Sequence, residues 1–371
     1  MTSLSENVAR LAAMRAGVKR SPGAADRLQD LTSFGSNPGA LRARVHVPAK
    51  LPRGAPLVVV LHGCTQTAAA YDHGTGWSAL ADRYGFALLF PEQVRANNAN
   101  LCFNWFVPGD IGRMGGEAES IASMVSTMVT AHDLDPRRVF VTGLSAGGAM
   151  AAVMLATYPD RFAGGAVIGG LPYGCASNIP EALAQMRERS DEGARLLAVV
   201  RSAARDHDGL WPSLSLWHGA DDRTVDVSNM ERLGRQWRHL HGIDDAAPVV
   251  TRDARAEHLV WQGSDGRVLV EEHRIAGMGH GVPLDASGAD RLGVVGPYML
   301  DVGISSTAQI ARSWGILVQG ESVVDVTTPD AASRVVKFVP TEQVHRAPPA
   351  PAPGSIQQTI ESALRSAGLM R

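Results

Sequence analysis

The stretch RVFVTGLSAGG, residues 138–148, places a serine directly after an apolar, strand-like run. Ser145 lies in the pattern G-x-S-x-G, which occurs once in the chain. This pattern lets a strand turn sharply into a helix and exposes the serine side chain at the turn. The small residues of AMAAVMLATYPD follow, as expected for a helix that packs closely on the strand. The sequence therefore predicts that Ser145 is a nucleophile.

A serine hydroxyl needs a histidine to accept its proton and an acid to orient that histidine. When the serine follows such a strand-to-helix turn, the acid comes next in the chain and the histidine last. Asp221, Asp222 and Asp226 follow the strand-like LSLW and precede a helix start at Ser228. Periodicity does not choose between Asp221 and Asp222, whereas a role at the start of the helix also explains Asp226.

The predicted base is His280, in the segment GMGHG after the strand-like VLVEEHRIAG. Gly277, Gly279 and Gly281 make this loop flexible enough to aim the imidazole across the sheet edge. The remaining histidines near strands or helix ends are predicted to be surface or core residues: His62, His218, His239, His241 and His273.

Ester or amide hydrolysis also needs two backbone donors that hold the oxyanion of the tetrahedral intermediate. The N–H of Ala146, directly after the nucleophile, is one. The other is expected in the loop after the strand-like LVVVLHG, and its position predicts the N–H of Cys64. The alternative is that His-Gly-Cys forms only the turn that ends this strand.

The elements that must position these residues alternate between strands and helices. The strand-like runs are LRARVHV, PLVVVLHG, FALLFPEQ, RVFVTG, GGAVIGG and LSLWHG, and several are continuously apolar. Continuous apolar runs are typical of strands covered by helices on both faces. One predicted helix carries Glu117 and Glu119 near its start; another has Ser228 and Glu231 at capping-box spacing and Gly242 at its end. The pattern predicts an α/β fold with a mostly parallel central sheet.

The chain has 371 residues, of which 45% are hydrophobic and 19% charged, with a formal net charge of −2. This composition is globular and gives no reason to expect nucleic acid or an acidic membrane surface as a partner. No apolar run is long enough to span a bilayer. The first twenty residues lack the continuous apolar run of a secretion signal, because Asn7, Arg10 and Arg15 interrupt it. We therefore expect a cytoplasmic protein, or a secreted one if residues precede this start.

Three segments are predicted. Residues 1–39 form an N-terminal helical or irregular extension, 40–316 the catalytic domain, and 317–371 a C-terminal extension. The last contains the proline-rich segment 347–354 and a short amphipathic helix that docks on the body, pairs with another chain or hangs free. Cys64, Cys102 and Cys175 are too few for a disulfide scaffold and match no zinc site, although one pair would bridge in an oxidising compartment.

Six motifs together resemble the polyhydroxyalkanoate (poly-3-hydroxybutyrate, PHB) depolymerase family of esterases, whose relatives include feruloyl and acetyl-xylan esterases. The motifs occur in the family's order over about residues 40–315: LHGCTQ, NNANLCFNWF, VTGLSAGGAMA, GLPYGCA, HGADDRTV and GMGHG. The resemblance implies an α/β-hydrolase fold and a serine esterase that needs no metal or cofactor.

The resemblance also assigns roles. It implies that Ser145 is the nucleophile, His280 the base and Asp222 the acid, with Asp221 in a variable position. It implies that the N–H groups of Cys64 and Ala146 hold the oxyanion.

Three further cysteine and tryptophan assignments rest on the same resemblance. Cys102 and Cys175 lie in two of the family motifs, where either is a candidate disulfide partner of Cys64. Trp105, in CFNWF, is a candidate for lining the acyl groove, with ordinary core packing as its alternative.

The sequence departs from the family after the predicted base. Many secreted relatives have a Trp-Ser-Gly-Gly-like stretch there, whereas this chain reads GHGVPLDASGAD. A secretion signal and a separate polymer-binding module are not recognisable either. We therefore expect short-chain hydroxyalkanoate esters or oligomers as substrates. Feruloyl or acetyl-xylan esters are the enzymatic alternative, and a hydrolase-like binding or scaffold protein is the non-enzymatic one; the oligomeric state stays open.

Overall fold

The computed structural model describes residues 26–187, 193–288 and 291–317. All of them belong to a unit that extends over Leu11–Val318. The predicted N-terminal helix, the proline-rich segment 347–354 and the predicted C-terminal helix lie outside the described residues.

Twelve strands form two sheets in the part of the chain that the structure describes. They are β1 (Gln29–Asp30), β2 (Arg42–His46), β3 (Leu57–Leu61), β4 (Ala87–Glu92), β5 (Val139–Leu144), β6 (Gly164–Ile168), β7 (Ser213–Gly219), β8 (Val249–Arg252), β9 (Ala256–Gln262), β10 (Val268–Ile275), β11 (Val282–Leu284) and β12 (Met299–Asp301). The first ten form one sheet in the order β1-β2-β4-β3-β5-β6-β7-β10-β9-β8. Its six central strands, β4 to β10 in that order, are parallel, and antiparallel strands flank them on both sides.

Eight helices connect or cover these strands within the described residues. They are α1 (Ala68–Thr75), α2 (Trp77–Tyr84), α3 (Gly116–Ala131), α4 (Ala146–Thr157), α5 (Ile179–Gln185), α6 (Gly193–Ala203), α7 (Ser228–His241) and α8 (Ser306–Ser313). Side chains of α3, α4 and α7 pack in one hydrophobic core cluster, and those of α1, α2 and α8 in a second.

Strand β3 shows why the sheet is buried on both faces. Leu57, Val59 and Leu61 belong to the first cluster, whereas Val58 and Val60 belong to the second. Successive side chains of a strand point to opposite faces, so a continuous apolar run fills two cores. The structure has the α/β-hydrolase architecture, which confirms the predicted fold class.

The turn between β5 and α4 brings backbone against backbone. A Cβ on Gly147 would lie 2.3 Å from the carbonyl oxygen of Leu61, and a Cβ on Gly143 would lie 2.4 Å from the carbonyl carbon of Gly147. All twelve residues of α4 are buried, and most are small. These glycines let α4 start directly above the end of β3.

One local prediction needs correction. Ser228 does not cap α7, because the helix begins at Ser228 and Val227 occupies the N-cap position. The carboxylate of Asp226 accepts the N–H of Ser228 at 3.0 Å instead, so the preceding acid satisfies that helix donor. Gly242 ends the helix in the left-handed conformation, as predicted.

The edges of the sheet were not fully visible in the sequence pattern. β1 lies inside the predicted extension 1–39, yet it pairs with β2. At the other edge, all four residues of β8 are exposed, so this strand has no alternating or continuous apolar signal. None of the helices in the described residues is long and apolar enough to cross a bilayer.

We predict that Gly147→Ala destabilises the protein, because its methyl group would collide with the backbone of β3 rather than with a flexible side chain. The expected loss is at the upper end of about 1–3 kcal/mol, measured by denaturant unfolding. Gly109→Ala is the matched control, since a Cβ there meets no atom within 4 Å. Equal loss in both variants would contradict the proposed backbone contact.

Candidate active site

Ser145 occupies a strained turn between β5 and α4. Its backbone has φ 58° and ψ −118°, a conformation that costs an L-residue about 1–3 kcal/mol. The N–H of Ser145 donates to the carbonyl oxygen of Ile168 at 2.9 Å, and its own carbonyl accepts from Ala149 at 2.8 Å. Strain of this kind is typical of functional positions, and the G-x-S-x-G pattern predicted the turn.

The structure separates the two aspartates that periodicity left open. Asp222 is buried, and its Oδ2 lies 2.6 Å from Nδ1 of His280, whereas Asp221 is exposed. The other oxygen of Asp222 accepts the backbone N–H groups of Thr224 and Val225 at 2.8 and 3.0 Å. This turn fixes the carboxylate with one oxygen directed at the imidazole.

His280 is positioned by the packing of its loop on the turn after β7. The N–H of Asp221 donates to the carbonyl of Met278 at 2.9 Å, and Ala220 donates to Ile275 at 2.8 Å. Position 219, beneath this loop, has room only for glycine, because a Cβ there would lie 2.2 Å from the carbonyl oxygen of Met278. The loop is therefore held on the Asp222 turn by backbone contacts.

The three predicted catalytic residues adjoin the end of β6. The backbone N–H of Ser145 is hydrogen-bonded to Ile168, and a Cβ on the next residue, Gly169, would lie 3.2 Å from Cε1 of His280 and 3.6 Å from Oδ2 of Asp222. Within the described residues, the Asp222–His280 hydrogen bond is formed, but none joins Ser145 to His280. Catalytic serine–histidine bonds are often long without substrate and tighten when it binds.

Burial by itself would raise the pKa of the Asp222 carboxyl. Hydrogen bonds from His218 and His280, and the electrostatic attraction of both rings, outweigh burial and hold this pKa well below its usual range. Because an ionised carboxylate only accepts, Nδ1 of His280 donates to it, and in the neutral ring Nε2 presents a lone pair. That is the tautomer a general base requires.

His218 was predicted to be a core or surface residue, and its contact with Asp222 was missed. Its buried ring places Nε2 2.9 Å from the carbonyl oxygen of Val225 and 3.4 Å from Oδ2 of Asp222. The available signal was the four-residue spacing between His218 and Asp222 in HGADD, but this spacing indicates a contact only once the conformation of the turn is known.

The predicted oxyanion donors lie on two segments that touch. A Cβ on Gly147 would approach the carbonyl oxygens of both Leu61 and His62, so the start of α4 abuts the loop after β3. In the described part of the chain, the N–H groups of Cys64 and Ala146 have no protein acceptor. Such donors are available to a developing oxyanion.

A disulfide joins Cys64 to Cys102 and ties the loop after β3 to the loop after β4. The N–H of Thr65 donates to Asn100 at 2.6 Å beside it. Cys175, the other partner considered, is buried and outside the disulfide.

A buried polar network beneath these loops was also missed. The N–H of Gln93 donates to Nε2 of His62 at 3.2 Å, and its side-chain amide donates to the carbonyl of Cys102 and to Glu117. Glu117 also accepts the N–H of Asn104 at 2.8 Å. Burial, together with the charge of nearby Asp110, raises the pKa of Glu117 to about 8. Glu117 thus organises the loops rather than simply complementing the helix dipole.

Trp105 is 7% exposed and packs in the first core cluster, with Phe106 in an edge-to-face contact. This is the packing expected from its core alternative, and its role in substrate binding stays a prediction. The one close group of three histidine and carboxylate ligands within the described residues lies on β9 and β10, not at this site.

Comparisons with known proteins agree with this architecture. A family model described as Esterase PHB depolymerase matches residues 43–259. Poly(3-hydroxyalkanoate) depolymerase C of Paucimonas lemoignei is 45% identical, over 78% of this chain and 70% of that protein. An acetylxylan esterase of Coprinopsis cinerea is 33% identical over 70% of each chain. The solved acetyl xylan esterase from Aspergillus awamori has a TM-score of 0.65 at 25% identity, covering 78% of this chain and 99% of its own.

We predict that Asp222→Asn lowers kcat for ester hydrolysis by about 10⁴-fold, because an amide can hold His280 in the wrong tautomer. Asp221→Asn is the matched control and should change kcat less than about twofold, since its side chain is exposed. If Asp221→Asn lowered kcat at every pH while Asp222→Asn kept full activity, the acid would be Asp221 rather than Asp222.

We predict that unreduced, denatured protein exposes one reactive thiol and that reduction exposes three. Breaking the disulfide by Cys102→Ala should lower kcat by up to about 10²-fold, the cost of losing one oxyanion donor. Cys175→Ala should retain activity. Three reactive thiols before reduction would show that the pair is not formed.

Proposed function

Because the chain belongs to the PHB depolymerase family of esterases and is a carboxylic ester hydrolase, we propose that Ser145, His280 and Asp222 form its catalytic triad. Ser145 Oγ attacks the ester carbonyl carbon while Nε2 of His280 takes the hydroxyl proton. Asp222 holds the resulting imidazolium through Nδ1. The N–H groups of Cys64 and Ala146 stabilise the oxyanion of the tetrahedral intermediate.

The intermediate collapses as the bond to the leaving alcohol breaks. His280 returns its proton to that alcohol and leaves an acyl group on Ser145. Water then attacks the acyl-enzyme, again with His280 as base. A second collapse releases the carboxylic acid and restores the serine. Every proton moves through one imidazole, so this mechanism uses only groups of the chain itself.

The observation that carries the triad proposal is the 2.6 Å hydrogen bond between buried Asp222 and His280 beside the strained turn of Ser145. The carboxylate, the imidazole and the backbone of the serine at φ 58° all adjoin the end of one strand, β6. Ordinary core packing explains neither the buried acid–histidine pair nor the strain at the serine.

We propose that the substrate is a short-chain hydroxyalkanoate ester or oligomer. The 45% identity to the Paucimonas lemoignei depolymerase supports this class over the acetylxylan esterases, such as the 33% identical protein of Coprinopsis cinerea. The structural likeness to an acetyl xylan esterase keeps acetyl esters as the second candidate. Feruloyl esters are less well supported, since feruloyl esterase B of Talaromyces funiculosus is 28% identical.

The Cys64–Cys102 disulfide bears on where the protein works. Disulfides persist in oxidising compartments and are rare in the cytosol. We therefore propose the secreted alternative rather than the cytoplasmic one, and the thiol count on unreduced protein tests the disulfide on which this choice rests.

A panel of soluble esters tests both mechanism and substrate class. We expect higher kcat/KM for 3-hydroxybutyrate oligomers than for acetylated xylo-oligosaccharides or ethyl ferulate. Ser145→Ala should lower kcat on every active ester by about 10⁴-fold or more. Ser36→Ala, at an exposed serine, should retain wild-type rates.

The two halves of the proposal fail separately. Equal rates for wild type and Ser145→Ala would end the triad assignment. Preference for the acetyl or feruloyl ester, with Ser145→Ala inactive, would leave the triad and overturn the substrate class.

A further inference from the structure

Two histidines and a glutamate come together on β9 and β10, apart from the proposed triad. His273 is the register partner of His258 on β9 and of Trp217 on β7. Glu271 lies two residues before His273 and therefore on the same face of β10. The three side chains form one cluster, His258–Glu271–His273, in which each offers one ligand atom.

The ligand atoms of this cluster already lie close to one another. Oε2 of Glu271 lies 3.1 Å from Nε2 of His258 and 3.5 Å from Nε2 of His273. All three ligand atoms lie within 4.8 Å of one another. In a tetrahedral zinc site with bonds of about 2.0–2.1 Å, neighbouring ligand atoms are about 3.3 Å apart.

His273 supplies an independent observation that points to a ligand. It is 8% exposed, and its Nε2 is buried without a hydrogen-bond partner among the described residues. Trp217 stacks on one face of its ring at 3.7 Å between centroids and fixes the ring plane. Buried polar atoms are normally paired by good hydrogen bonds, so an imidazole nitrogen that only approaches a carboxylate oxygen at 3.5 Å calls for an explanation.

We propose that the His258–Glu271–His273 cluster binds a divalent transition-metal ion of the zinc type. Two imidazoles and one carboxylate are the donors that such ions take in proteins, whereas calcium and magnesium prefer oxygen ligands alone. Water completes the coordination. The hydrolysis does not need this ion, since the triad supplies its own base.

One side chain must move for the ion to bind. The rings of His258 and His273 are stacked, with centroids 4.0 Å apart and planes 14° from parallel, so their lone pairs do not converge. The side chain of His258 is 33% exposed and turns out of the stack, while the buried His273 and Glu271 stay in place. Binding should therefore link β9 to β10 and stabilise the fold.

The test measures zinc binding to untagged full-length protein after treatment with EDTA. Equilibrium dialysis with metal analysis should give one tight Zn²⁺ per chain. His258→Ala, at the most exposed ligand, should weaken binding at least tenfold. His239→Ala is the matched control, because His239 pairs with Asp244 but lacks a third ligand within the described residues. A His280→Ala background removes the catalytic imidazole as a competing ligand.

Two readouts decide the outcome. Zn²⁺ should raise the melting temperature of the protein and of His239→Ala, and it should not raise that of His258→Ala. Circular dichroism checks that His258→Ala is folded. Absence of stoichiometric zinc in the parent protein, or equal affinity in His258→Ala, would overturn the proposal and leave a stacked histidine–carboxylate network. Neither result bears on the triad.

Discussion

The contact between the start of α4 and the end of β3 is the constraint on which the site depends. Gly147 lies against the carbonyl oxygens of Leu61 and His62 with no space for a Cβ. Because α4 starts directly against the end of β3, Ser145 occupies a strained turn. The N–H groups proposed to hold the oxyanion therefore lie on adjoining backbone segments. Helix α4 is buried and consists mostly of small residues, and its glycines and alanines let it pack directly on the sheet.

The Asp222–His280 pair depends on a second backbone contact, between the turn after β7 and the loop after β10. Each strand ends at the same edge of the sheet, and hydrogen bonds from Ala220 and Asp221 tie the two segments together. The carboxylate of Asp222 is thereby buried with donors on both oxygens. His218 and His280 share this carboxylate, so its ionised state is maintained despite the loss of water around it.

Local sequence signals predicted the features that follow from backbone geometry. G-x-S-x-G indicated the turn at Ser145, and continuous apolar runs indicated the strands covered on both faces. Asp221 and Asp222 could not be separated by periodicity, because what distinguishes them is the direction of each side chain within one turn. Gln93 gave no signal and Glu117 only that of a helix start, since their hydrogen bonds join the loops after β3 and β4 to α3. Strand β8 was missed because its exposed residues follow no hydrophobic pattern.

The parallel pairing of β10 with β7 has a consequence for biosynthesis. β10 pairs with β7, which precedes it by about fifty residues, and the imidazole of His280 follows only after β10. Domains emerge from the ribosome N-terminus first, so β3, β5 and α4 are complete before that imidazole has been made. A ribosome-bound nascent chain thus carries Ser145 before His280 has been made. Under the proposed triad, ester cleavage begins only after translation has passed β10.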